Sequence, residues 1–122
     1  MSLYFQNKTP DPIQLVFSFF DPDCESEGNI KWRKKGWFHM MLDQKIKVWD
    51  ELANNKTFLF YAEDTNTFEK IWSGDRFTHI PSSRFDRCWN ITGTDNGRTL
   101  GLRVFTATSD DYIVNLVPSY LL

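Results

Sequence analysis

Along most of this chain apolar and polar side chains take turns at every second position, the period of a strand lying on a core. The clearest case is residues 57–74. Phe58, Phe60 and Ala62 alternate with Leu59, Tyr61 and Glu63, a polar turn follows at residues 64–67, and a second apolar run ends in Trp72-Ser73-Gly74. This pattern predicts a hairpin. Earlier in the chain, residues 3–7 alternate and are stopped by Pro10 and Pro12, which remove backbone donors. Residues 13–20 place Ile13, Leu15, Phe17 and Phe19 on one face, with Val16 and Phe20 on the other, so a central strand with two apolar faces is expected.

Residues 30–41 alternate on both sides of Gly36 but change face there, the signature of a bulge or bend. Residues 45–49 set Ile46 and Val48 against Lys45 and Lys47, as an exposed sheet edge would. Asn54-Asn55 tolerates positive φ and Asn96-Gly97 is a hairpin turn signal. Residues 100–106 and 112–117 read as two last strands. Alternation is lost over residues 75–90, where Pro81-Ser82-Ser83 predicts a single capped helical turn. The expectation is therefore all-β: an antiparallel β-sandwich or small barrel of eight or nine strands with at most one short helix, a single domain over residues 1–122.

Composition agrees: aromatics make up 16%, with eleven Phe and five Trp, which favours strands. A formal charge of −2 gives no field to draw nucleic acid or anionic lipid. Lys31, Arg33, Lys34 and Lys35 interleave with Trp32 and Trp37, but strand geometry splits that charge between two faces, which disfavours a nucleic-acid platform. No run of 18 apolar residues is present and the start lacks a basic segment followed by an apolar run, so a soluble, cytoplasmic chain is expected. Residues 1–6 resemble a cloning leader with part of a protease-cleavage tag, yet they also suit a first strand. Cys24 and Cys88 are the only cysteines; either packed thiols or a mutual disulfide is open, the first being usual in a reducing compartment.

Several fragments line up in order: Asn7-Lys8-Thr9, Lys35-Gly36-Trp37, the aromatic run at residues 58–62, and Trp72-Ser73-Gly74. Together they resemble the bacterial domain of unknown function 1036 family over residues 5–90. The chain departs from that pattern at Gln6, where a cysteine is expected, and at Lys45, so the family's thiol pattern is not carried over. The resemblance implies a compact bacterial domain and supplies no catalytic residues.

Candidate chemistry is sparse. Asp21, Asp23, Glu25 and Glu27 are hard oxygen ligands of the kind Ca²⁺ takes, but Gly28 is misplaced for an EF-hand and a solvated loop is the competing reading. Asp110-Asp111 reads as a turn. His39 and His79 are the only histidines, and no close-spaced ligand pair exists for zinc, so no metal or cofactor is assigned. Cys88 with His79 and Asp86 is the alternative of a hydrolase-like thiol site. Sequons at Asn7, Asn55 and Asn90 carry little without an export signal.

Five indoles, each with an N–H to satisfy, are many for one small core, and some should line a groove. Exposed Trp and Tyr beside Asp and Arg can hold sugars or small amphipathic ligands. The leading expectation is a non-catalytic domain binding a small ligand, a carbohydrate or a protein through Trp72, Trp37, Tyr61, Asp75 and Arg76. A third reading is an accessory domain that self-assembles through the edge at residues 45–49.

Overall fold

The computed structural model describes residues 2–24, 30–89 and 96–118. The described residues form ten strands: β1 (Leu3–Asn7), β2 (Ile13–Phe20), β3 (Trp32–Met40), β4 (Lys45–Trp49), β5 (Thr57–Asp64), β6 (Ile71–Trp72), β7 (Arg76–Pro81), β8 (Phe85–Cys88), β9 (Gly97–Thr106) and β10 (Tyr112–Leu116). The all-β expectation holds, with more strands than the alternation suggested and no helix among the described residues. The predicted helical turn is instead the end of β7, a bend, and β8. Phe85 turns inward and Asp86 outward, and β8 continues the sheet beyond β3 by pairing Gly36 with Phe85.

A small sheet runs β10-β1-β4, and a larger one β7-β9-β5-β2-β3-β8, with β6 pairing β5. One pairing departs from the antiparallel expectation: β1 and β10 are parallel, Leu3 opposite Tyr112 and Asn7 opposite Leu116. As its charged pattern predicts, β4 lies at a sheet edge. As its two apolar faces predict, β2 lies between β3 and β5. The β2–β3 register shifts between Leu15 opposite Phe38 and Phe17 opposite Lys35. That bulge sits at Gly36, where a Cβ would come within 3.0 Å of the Phe85 ring and 3.1 Å of Val16, so a side chain there would have to push those neighbours back by a few tenths of an ångström. The hairpin after β5 also forms. Its turn is wired by the buried Asp64 carboxylate, which accepts from the backbone N–H groups of residues 66–70 and from Thr67 Oγ1. Burial pushes the Asp64 carboxyl up, but these donors more than offset it and hold it well below the usual carboxylate range.

The central strands of the larger sheet, β2 and β5, are buried on both faces. Between the sheets lies a first core of Leu3, Phe5, Ile13, Leu15, Phe17, Phe58, Phe60 and their neighbours. On the other face the larger sheet curls around a second core of Val16, Trp37, Leu59, Tyr61, Ile80, Phe85, Leu100 and Leu102. The curl brings the sheet edges β7 and β8 toward each other without a backbone ladder between them. Side chains bridge the gap instead. Lys34 Nζ donates to Thr78 Oγ1 (2.8 Å) and to the His79 carbonyl (2.6 Å), Trp37 Nε1 donates to the Pro81 carbonyl (2.9 Å), and Thr78 Oγ1 donates to the Trp89 carbonyl (2.9 Å).

Close backbone approach fixes a second site. After β6 the chain crosses β9 so tightly that Gly74 N donates to the Gly101 carbonyl. A Cβ on Gly74 would lie 2.5 Å from Arg103 Cα, and one on Gly101 would lie 2.2 Å from Gly74 O. Glycine is required at both places.

Candidate functional site

Three of the five residues singled out from the sequence are interior. Trp72 is buried in the first core with its Nε1 on the Val117 carbonyl (3.2 Å). Trp37 and Tyr61 are buried together in the second core, ring centroids 6.3 Å apart. Trp72 and Trp37 thus occupy different cores, and no single patch contains both. Asp75 and Arg76 are exposed neighbours, with Arg76 Nη1 3.9 Å from Asp75 Oδ1.

At one end of the second core, Glu63 is almost fully buried yet well partnered. Tyr61 OH donates to it at 2.6 Å, Arg98 grips both oxygens at 3.0 and 2.8 Å, and Gln14 Nε2 completes the set. Burial pushes the Glu63 carboxyl up, but Arg98, Tyr61 and Gln14 outweigh it and leave it below its ordinary value. Burial, reinforced by the Glu63 charge, raises the Tyr61 phenol. Arg98 also lies over the Trp37 ring at 5.7 Å. With both Glu63 oxygens and the Tyr61 hydroxyl engaged and Arg98 lying over an indole, this cluster reads as structural closure of that end.

The opposite end, where β5 begins, is open among the described residues. There a cleft of about 330 Å³ is walled by Ile30, Trp32, Leu59, Trp89 and Val104, with Thr57 and Arg76 at its rim. Local structure explains each wall. Trp32 opens β3 on the inward face that also carries Lys34; Trp89 follows β8, and its backbone N–H donates to the Trp32 carbonyl at 2.7 Å. Val104 continues the inward row of Leu100 and Leu102 out to where the barrel opens, and is 42% exposed. Arg76 is therefore the one residue from the sequence-derived set that borders this cleft. Trp32 and Trp89 were legible only as members of the five indoles, because which of the five reach the mouth depends on the curl of the sheet.

Cys24 and Cys88 form a disulfide, Cα atoms 5.5 Å apart, directly before Trp89. Cys88 therefore offers no thiol nucleophile in this state, and Asp86 is engaged by Arg33 at 3.0 Å. His79 Nε2 is buried without a hydrogen-bond partner among the described residues. Of the acidic loop, Asp21 is taken up by Arg33 Nε at 2.8 Å, while Glu25 and Glu27 lie outside the described residues, as does Asn90. Among the described residues no three His, Cys, Asp or Glu side chains come together as a metal centre would need. The Asn7-Lys8-Thr9 fragment is structural. Buried Asn7 accepts from Thr9 N and Oγ1 and donates to the Asp11 and Met41 carbonyls, fastening β1 to two turns.

No family model, curated protein or solved structure matches the chain.

Proposed function

We propose that this domain is a non-catalytic binding module that takes a small amphipathic ligand in the Trp32–Trp89 cleft. The observation that carries the reading is the contrast among the indoles. Trp37 and Trp72 spend their N–H groups inside the domain, whereas Trp32 and Trp89 stand half-buried at the mouth of a 330 Å³ cleft with apolar walls and two polar residues at its rim. Apolar walls give affinity, and a few rim groups give orientation.

The test is intrinsic tryptophan fluorescence titrated with small amphiphiles and methyl glycosides. Saturable change is expected with an apolar-bodied ligand, and Val104→Asp, at the cleft wall, should abolish it while the far-ultraviolet spectrum stays unchanged. Absence of any saturable response across the panel, with the disulfide intact, would remove this reading.

A further inference from the structure

The smaller sheet ends on one side at β10, which pairs with β1 and has no strand on its other flank among the described residues. We infer that this flank is a dimer interface, where β10 pairs antiparallel with β10 of a second copy about a twofold axis at Val114. The inference goes beyond the cleft and does not rest on it.

The backbone selects both occupant and register. In the parallel ladder Tyr112 N donates to the Ser2 carbonyl and Lys8 N donates to the Leu116 carbonyl. Residues 112, 114 and 116 therefore spend their backbone groups on β1, and Ile113 and Asn115 turn theirs to the outer flank. The Val117 carbonyl is already taken by Trp72 Nε1 at 3.2 Å. What remains is the N–H and carbonyl of Ile113 and of Asn115. An antiparallel ladder centred on Val114 sets Ile113 opposite Asn115 of the second copy, and Asn115 opposite Ile113 of the second copy, so each of these residues gives and takes one backbone bond.

Side chains agree with the backbone. Sheet edges that must stay single are guarded by charge, proline or a bulge. At the other edge of the same sheet, β4 carries Lys45 and Lys47 and shifts register against β1. Across the larger sheet, β7 and β8 face each other over the bridged seam. In contrast β10, Tyr-Ile-Val-Asn-Leu, has no charge, no proline and an unbroken register with β1. Centred on Val114, the ladder sets Val114 against its own twin and Asp111 against Val117, so no like charges meet. The strand is thus complementary to itself, as an isologous contact requires. At the foot of this flank a groove of about 400 Å³, lined by Phe60, Trp72, Phe105 and β10 itself, lies open between the sheets, and the added strand covers it.

The experiment is sedimentation equilibrium on the intact, oxidised chain across the micromolar range, where a monomer–dimer equilibrium is expected. Ile113→Lys, at an exposed side chain, should leave the far-ultraviolet spectrum unchanged and raise the dimer dissociation constant at least about tenfold. Register is read by cross-linking. Val114→Cys places two thiols across a non-hydrogen-bonded pair, with Cα atoms about 4.5 Å apart, within reach of a disulfide. Mild oxidation should then give a covalent dimer, and Ile113→Cys should not. A chain that is monomeric at every concentration overturns the inference, whether or not it captures a foreign extended peptide. A dimer that Ile113→Lys leaves intact overturns it and moves the contact to another surface. Cross-linking through Ile113→Cys in place of Val114→Cys overturns the register.

Discussion

Between the sheets, Phe5, Phe17, Phe58, Phe60 and Phe105 touch ring to ring at centroid distances of 5.2 to 6.4 Å; inside the curled sheet, Trp37, Leu59 and Leu102 share their space with an ammonium, a carboxylate, a phenol and hydroxyls. The first core is held by apolar area, which is non-directional and closes on all sides. The second is held by a few directed bonds, with Lys34 and Trp37 tying β7 and the Glu63 cluster sealing one end. Directed bonds can close a seam and leave an opening beside it, and the cleft lies at that opening. In this fold the aromatic core and the open cleft fall to different faces of the same sheet.

Emptying the first core should have the largest effect. Phe17 is fully buried among Phe5, Phe19 and Phe58, and Phe17→Ala should cost up to about 5 kcal/mol in urea melts. Ligand response should survive in whatever fraction remains folded, because Phe17 faces away from the Trp32–Trp89 cleft. A loss of response at full folding would break the separation between the two faces.

Next is the disulfide, which ties the loop after β2 to the end of β8. Cross-linking residues 64 apart in sequence stabilises by about 4 kcal/mol in the chain-entropy description. The Cys24→Ser/Cys88→Ser variant should lose that amount and, unlike Phe17→Ala, should also weaken ligand binding, because Trp89 follows Cys88 directly. Equal binding by the oxidised wild type and this variant, both fully folded, would show that the cleft wall does not depend on the bridge.

The smallest effect concerns Lys34, which is fully buried with a hydroxyl and a carbonyl as partners. Burial, with repulsion from Arg87 added, pushes its pKa down to about 8. Because the unfolded chain binds this proton more tightly, stability is depressed while Lys34 is charged and rises as pH climbs from the folded value toward the unfolded one. Between pH 7.5 and 10 the gain should be roughly 2 kcal/mol. Lys34→Met should flatten that rise; an unchanged pH slope in the variant would assign it to other groups.

Much of the fold could be read from local signals. Alternation placed β1, β2, β4 and β5, Gly36 marked the bulge, and Asn55, with φ 66°, occupies the left-handed region its type tolerates. What escaped depends on contacts far apart in sequence. Phe85 and Asp86 carry too short an alternation to announce a strand, and β8 exists because β3 offers it an edge. Nothing near Lys34 in sequence reveals that β7 arrives over it and buries it. For the same reason Trp37 and Trp32, five residues apart across a bulge, gave no sign that one would be core and the other a cleft wall. Cys24 and Cys88 were open to pairing on sequence grounds, and only the approach of β8 to the loop after β2 decides it.

The parallel ladder of β1 with β10 bears on how the molecule is made. On a ribosome, β4 reaches β1 early, but the other flank of β1 stays bare until Tyr112 to Leu116 have emerged. Closure of the smaller sheet is thus a late event that joins the most remote segments, the kind of contact that slows folding. During that interval the naked flank of a nascent copy is a template for a neighbouring one. Dilute refolding should therefore recover more monomer than concentrated refolding.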